Sequence, residues 1–228
     1  LADRAARASI LLSFGDIRNF SFWSGRALEW TKDSAGLATV LDVWSRMLAT
    51  SPVAAPCLDH LEKTTSEIQE QKRASVFNAI TDLAIMFSDP ARTARCMTSA
   101  GRKPTSVEAL PMVKTCLQKN DSSNLHFWIT AFVTAADDNK EFGFHLKKFI
   151  EDTPNSMKTA MQAAIMQGFS AATNVSRKIK VAEVLSEDLI VRGNEQELRR
   201  FLTANQELIQ AKAPISWAVW NTELALLD

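Results

Sequence analysis

A pair of adjacent aromatic residues, Phe-Trp, occurs twice in the chain in similar surroundings, and this recurrence constrains the fold most. The pair at residues 22–23 is followed by Asp33, and the pair at 127–128 is followed by Asp138 at the same separation (33 − 23 = 138 − 128 = 10). In each case an apolar stretch precedes a polar, acidic break. Such recurrence is typical of stacked helical units, because one unit alone cannot bury its apolar face.

The spacing of apolar residues is that of α-helices. Phe20, Trp23 and Ala27 recur at i, i+3 and i+7, whereas β-branched alternation is almost absent, and only seven glycines occur in 228 residues. Further units of the same kind start near residues 78 and 162, at irregular intervals. The sequence therefore predicts an all-α fold of about ten or eleven helices, arranged as an irregular stack of helical hairpins of the armadillo or HEAT type.

The clearest loop in the sequence covers residues 99–106, where Gly, Pro, Ser, Thr and basic residues are concentrated. A break of this composition is typical of a boundary between structural units. We therefore predict two helical-repeat halves, at residues 1–100 and 101–228.

Several residues mark the starts of predicted helices. Asp89 can cap a helix that has Pro90 at its first position, where the missing N–H costs nothing. Asn194, with Glu197 three residues later, predicts a capping box for a single helix over about 194–210. Ser106 is the predicted cap of the helix that follows the central loop. The stretch from about 58 to 87 is also helical, as one helix or as two.

Part of this pattern resembles a known group of proteins. Asn-Ala-Ile at 78–80, followed by Asp-Pro-Ala at 89–91, is similar to the SKWP-type helical repeats of type III secreted effectors from plant-pathogenic bacteria, as is Trp30 with Asp33 and Ala35. The Ser-Lys-Trp-Pro tetrapeptide itself does not occur. The resemblance implies a secreted bacterial protein that acts on host proteins in the host cytoplasm, and it implies no catalytic residues.

The sharpest local cluster of reactive side chains is Cys57, Asp59 and His60, placed after Pro52 and Pro56 in a predicted loop. A thiolate needs a nearby base or positive charge, which His60 could supply. The Cys-x-Asp spacing resembles the catalytic loop of the all-helical bacterial ubiquitin ligases, where the cysteine accepts ubiquitin as a thioester. The competing interpretation is a half-buried cysteine beside an aspartate that caps a helix.

Other classes of site find no support in the sequence. His60, His126 and His145 are far apart, so we expect no metal site, and the absence of a glycine-rich phosphate loop argues against a nucleotide cofactor. The net charge of zero provides no overall attraction for nucleic acid, so we do not expect nucleic acid as a partner. No apolar run is long enough to span a membrane.

Three scattered cysteines fit a reducing, cytosolic environment. The start at Leu1 rather than Met predicts a piece of a longer protein.

The tryptophans divide into core and surface candidates. Trp23 and Trp128 are predicted to be equivalent buried residues. Trp30 and Trp220, with the basic pair Arg199 and Arg200, are the predicted partner-binding residues, since Trp and Arg often carry binding energy at interfaces.

We therefore expect a module without catalytic activity that binds another protein on a helical surface. The alternatives are a cysteine-dependent transferase that uses Cys57 and an all-helical regulator of a small GTPase. Measurements of ubiquitin transfer and of nucleotide release would distinguish these two alternatives from a binding module.

Overall fold

The computed structural model describes residues 1–14, 16–137 and 139–227. These residues form fourteen α-helices and one short 3₁₀ turn, with no strand, which confirms the all-α class. None of the described helices has the length and hydrophobicity needed to cross a membrane. The helices are α1 (Ala2–Ser13), α2 (Ile17–Glu29), α3 (Ser34–Leu48), α4 (Ala54–Thr65), α5 (Glu70–Met86), α6 (Pro90–Ala100), α7 (Ser106–Lys119), α8 (Ser122–Thr134), α9 (Phe142–Glu151), α10 (Lys158–Ala171), α11 (Val175–Val191), α12 (Glu195–Ala204), α13 (Gln206–Lys212) and α14 (Pro214–Leu227).

The described helices are more numerous than the ten or eleven predicted, because long helical stretches are interrupted. The stretch from 58 to 87 belongs to two helices, α4 and α5. The single helix predicted over 194–210 is wrong, since Asn205 separates α12 from α13 with a backbone conformation of φ −121° and ψ 16°. The Asn205 side-chain amide donates to the carbonyl of Phe201 at 2.8 Å, which helps to end α12.

Two of the three predicted helix starts are confirmed. Asp89 accepts a hydrogen bond from the N–H of Arg92 at 3.0 Å, and Pro90 occupies the first turn of α6. Asn194 accepts from the N–H of Glu197 at 3.4 Å and donates to its carboxylate at 2.6 Å.

The third predicted cap, Ser106, is wrong. Thr105 caps α7 in a capping box with Glu108. Ser106 is instead the first helical residue, and its side chain is buried.

The chain divides into two compact units, unit 1 (Leu1–Lys103) and unit 2 (Pro104–Asp228). In unit 1, α1 packs against α2 and α3, and α5 packs against α3, α4 and α6. Trp44 of α3 is fully buried, its ring lies 6.4 Å from that of Phe20, and its indole N–H donates to the hydroxyl of Ser9 at 3.1 Å. These contacts join α1, α2 and α3 around one core.

The two Phe-Trp pairs do not occupy equivalent core positions. Trp128 is fully buried in α8, whereas Trp23 in α2 is only partly buried. Asp33 caps α3 by accepting from the N–H of Gly36 at 2.7 Å. Its predicted counterpart, Asp138, lies outside the described residues. The prediction that Trp23 and Trp128 are equivalent buried residues is therefore wrong, since Trp23 packs against the core of unit 1 only partly buried, whereas Trp44 is fully buried there.

In unit 2, α8 packs against α7 and α10, α9 packs against α7 and α11, and α14 packs against α11, α12 and α13. The rings of Phe132, Phe142 and Phe149 form a cluster, with centroids 5.1 Å and 5.4 Å from that of Phe132. The buried guanidinium of Arg177, on α11, lies 4.5 Å from the Phe142 ring centroid and donates to the Phe132 carbonyl at 2.8 Å. Arg177 thus fixes α11 against the end of α8 and the start of α9.

Candidate functional site

Cys57 lies inside α4 rather than in a loop, so its predicted setting is wrong. Pro56 occupies the first turn of α4, where its missing N–H leaves no hydrogen bond unmade. The Cys57 side chain is fully buried. Burial raises the pKa of the Cys57 thiol, and a hydrogen bond with Ser13 opposes that effect only in part. A buried thiol with a raised pKa is a poor nucleophile.

The two residues near Cys57 connect α4 to its neighbours. The carboxylate of Asp59 accepts a hydrogen bond from the guanidinium of Arg92 on α6. The ring of His60 packs edge-on against Phe20 of α2, with 5.7 Å between centroids, and burial lowers the His60 pKa. These contacts give Asp59 and His60 a role in packing, and neither is shown in contact with the Cys57 thiol.

The other two cysteines are equally unsuited to nucleophilic chemistry. Cys96 and Cys116 are fully buried, and burial raises the pKa of each thiol to about 12. All three cysteines are free thiols. Within the described part of the chain, no three His, Cys, Asp or Glu side chains lie close enough together to hold a metal ion.

Trp30 lies at the end of α2 and is 38% exposed. It lines a cleft of about 540 Å³ in unit 1, together with Asp3, Glu29 and Lys32. The first two residues of the chain, Leu1 and Ala2, complete its apolar part. The lining surface of this cleft is more apolar than polar, with the charged side chains of Asp3, Glu29 and Lys32 among its lining residues.

Arg199 and Arg200 are exposed on α12 in unit 2. Arg199 pairs with Glu195 one turn earlier at 2.7 Å. Exposed pairs of this kind contribute little to stability or binding. Neither arginine lines the groove that contains Trp220.

Trp220 is 5% exposed, which contradicts its predicted position on an open surface. Because α14 packs against α11, α12 and α13, the indole is enclosed within unit 2. It forms part of the floor of a groove of about 450 Å³ between α9, α11 and α14. The apolar residues of this groove are Ile150, Val184, Ile190, Val191, Val219 and Trp220.

This groove combines a buried floor with apolar side chains that remain open to solvent. Val219 is 50% exposed and Val191 is 85% exposed, although both line the same groove as the buried Trp220. Apolar surface that is concave and uncovered is typical of a binding site.

Carboxylates border the apolar part of the groove. Glu151, Glu187, Asp188 and Glu223 line it, against one basic residue, Lys147. Glu187 pairs with Lys147 at 3.2 Å, and Asp188 pairs with Arg192, just outside the groove, at 2.8 Å.

The remaining two carboxylates, Glu151 and Glu223, form no ion pair with any other described residue. Burial raises the pKa of the Asp188 carboxyl in spite of the nearby charge of Arg192. The Asp188 carboxylate is thus partly shielded from water, which strengthens its own electrostatic interactions.

Part of this arrangement had a signal in the sequence. Val219 and Glu223 are four residues apart on α14, as are Glu187 and Val191 on α11, so each apolar residue shares a helix face with a carboxylate. What the sequence did not reveal is that α9, α11 and α14 bring these faces together. The described lining residues of the groove include no Cys, Ser or His.

No known protein family, no curated protein and no solved structure matches this chain.

Proposed function

We propose that this protein is a protein-interaction module, in which the groove over Trp220 binds an amphipathic helix of another protein. The observation that supports this most directly is the exposure of Val191 and Val219 beside an indole that is almost completely buried. Covering these side chains would remove apolar surface from water, at roughly 25 cal/mol per Å² of buried area.

The shape of the site favours a helix as the occupant. Its walls are three helices, and Val184, Asp188 and Val191, which span two turns of α11, all line it. A helix that presents apolar side chains at i, i+3, i+4 and i+7 is the usual occupant of a groove between helices. A single helix buries less area than a standard interface, so we expect affinities in the micromolar range, about −8 kcal/mol.

We also propose that the helices are arranged as an irregular armadillo- or HEAT-like stack of helical hairpins. Pairing of the consecutive helices α1 and α2, α5 and α6, and α7 and α8 supports it. The pairs α8 with α10 and α9 with α11 join helices that are not consecutive, which makes the stack irregular. The resemblance to effector repeats extends the proposal to host proteins as partners. Regulation of a small GTPase stays a prediction, and the burial of Cys57 argues against a transferase.

A synthetic peptide tests the groove directly. The peptide is helical, with leucines at i, i+3, i+4 and i+7 and glutamines elsewhere. The indole N–H resonances of the protein are followed by NMR during titration, with the Trp220 signal assigned from Trp220→Phe. We expect the Trp220 resonance to shift in a saturable way, while the resonance of Trp44, buried in unit 1, stays unchanged.

Substitution of an exposed groove residue provides the specificity control. Val219→Asp places a charge on the apolar surface without disturbing the core, and we expect at least about tenfold weaker peptide binding. Val107→Asp is the matched control, because Val107 is 74% exposed at the start of α7 and does not line the groove. Equal binding by the two variants, or no shift of Trp220 at about millimolar peptide, would show that the proposed site is wrong.

A further inference from the structure

The charge distribution of the groove specifies the chemistry of its occupant. The whole chain is neutral, with 26 basic and 26 acidic residues. The groove, in contrast, is lined by four carboxylates and one lysine. Acidic residues are therefore concentrated around this apolar surface, although the sequence as a whole gives no such bias.

The ion pairs of the groove show which of these carboxylates are available to a ligand. Lys147 neutralises Glu187, and Arg192 neutralises Asp188, both within unit 2. Among the described residues, neither Glu151 nor Glu223 has a basic partner within 4.0 Å. The groove thus has two carboxylates that form no ion pair within the described part of the chain.

These two carboxylates lie on different walls of the groove. Glu151 is the last residue of α9 and follows Ile150, which lines the groove. Glu223 lies on α14, one turn after Val219, and is partly buried. A partly desolvated carboxylate interacts more strongly with a cation than a fully exposed one does. A glutamate beside a helix C-terminus, as at Glu151, also adds its charge to the negative end of the helix dipole.

We infer that the occupant of the groove is a basic amphipathic helix, whose apolar face covers Trp220 and Val219 while Lys or Arg side chains on its edges pair with Glu151 and Glu223. This inference rests on the proposed function, because it assigns the charge of the partner helix at the same site. An acidic helix would meet uncompensated carboxylates on two walls, and a neutral helix would leave both carboxylates partly desolvated without a partner.

Three synthetic peptides with one apolar face test the inference. They carry leucine at i, i+3, i+4 and i+7, and their flanking positions are all lysine, all glutamine or all glutamate. The Trp220 indole resonance reports binding. We expect the lysine peptide to bind about tenfold more tightly than the glutamine peptide, equivalent to about 1.4 kcal/mol, and the glutamate peptide to bind most weakly. Raising the salt concentration should weaken the binding of the lysine peptide more than that of the glutamine peptide.

Charge variants of the protein identify the residues responsible. Glu151→Gln with Glu223→Gln should remove the tenfold preference for lysine, and Glu151→Lys with Glu223→Lys should reverse it in favour of the glutamate peptide. Glu207→Gln is the matched control, because Glu207 is exposed on α13, forms no ion pair among the described residues and lies outside the groove.

The outcomes separate the inference from the proposed function. If all three peptides shift Trp220 with equal affinity, the inference is overturned while the groove remains a binding site. If no peptide shifts Trp220, the proposed function is overturned, and the inference with it. Reversal of the charge preference in the lysine double variant, with Glu207→Gln unchanged, would support both.

Discussion

Asp137 joins the first residue of α7 to the segment that follows α8. Its carboxylate accepts hydrogen bonds from the Ser106 N–H, at 2.9 Å, and from the Ser106 hydroxyl, to which the Asn139 side chain also donates at 3.2 Å. Burial by itself would raise the pKa of Asp137. The hydrogen bonds from Ser106 and the charge of Arg177 outweigh it, so the pKa lies below its ordinary value of 3.8.

Asp137→Asn should destabilise the folded protein at pH 7 by about 1–2 kcal/mol, because hydrogen bonds to a charged acceptor are lost. A pKa that is depressed in the folded state contributes stability above pH 3.8, and this contribution is lost as the pH falls through the folded pKa. The difference between variant and wild type should therefore shrink toward about pH 3. Urea unfolding of the variant and the wild type at pH 7 and at about pH 3 measures this difference in the free energy of unfolding.

Asp152→Asn is the control for this effect. Asp152 is exposed at the end of α9, where a negative charge is unfavourable, so its replacement should leave stability unchanged or slightly raised. An Asp137→Asn variant as stable as wild type at pH 7 would rule out the role assigned to this carboxylate.

At the residue scale, the sequence predicts local partners and misses distant ones. The caps at Asp89 and Asn194 were predictable, because each acts on an N–H three residues away. Ser106 was assigned the wrong role, because its partner Asp137 is 31 residues away in the chain. The setting of Cys57 was wrong for a similar reason: Pro56 indicated a loop, but it lies in a first helical turn that tolerates proline.

At the scale of secondary-structure elements, α8 and α10 approach each other closely at Gly168. A Cβ atom at this position would lie 2.7 Å from the Cβ of Val133, far inside van der Waals contact. One turn earlier, the carbonyl of Ala164 accepts a hydrogen bond from the hydroxyl of Thr130 at 3.3 Å. Small residues at 164 and 168 thus allow the two helices to pack with little separation.

Gly168→Ala should destabilise the protein by about 1–3 kcal/mol, since the added methyl group forces α8 and α10 apart in a closely packed interior. The intrinsic helix preference alone would predict that the variant is more stable than wild type, because alanine is favoured over glycine by about 1 kcal/mol within a helix. Thermal or urea unfolding of the variant decides which effect dominates.

Gly25→Ala is the matched control for this substitution. Gly25 is exposed within α2, and a Cβ atom there would meet no atom within 4 Å. This variant should be more stable than wild type by about 0.5–1 kcal/mol. If Gly168→Ala stabilised the protein as much as Gly25→Ala does, the close approach of α8 and α10 would be refuted.

The elements themselves were largely predictable from periodicity, while their number and partners were not. Helical spacing indicates an all-α fold, but it does not reveal the end of α12 at Asn205, to which a side-chain hydrogen bond contributes. The pairing of α8 with α10 across the intervening α9 also depends on side-chain fit, here at Gly168 and Val133.

At the scale of the whole molecule, the candidate groove is a product of tertiary packing. The sequence predicts Trp220 as a partner-binding residue, but its burial and its carboxylate neighbours follow from the packing of α14 on α11. Glu151 and Glu223 are 72 residues apart in the chain (223 − 151 = 72), so no local pattern connects them. Trp30 lines a different cleft, in unit 1, and its role in binding stays a prediction.

Because every residue of the groove belongs to unit 2, a chain of residues 104–228 should fold and bind the lysine peptide by itself. The aromatic cluster around Phe132 and the anchor at Arg177 are also internal to this unit, and its length is typical of an independent domain. Circular dichroism should show a cooperative helical unfolding transition, and the Trp220 resonance should shift with the affinity measured in the whole chain.

A chain of residues 122–228 is the control: it lacks α7, whose Met112, Val113 and Cys116 are fully buried, and should not fold. A non-cooperative melt for residues 104–228 would show instead that the groove depends on unit 1.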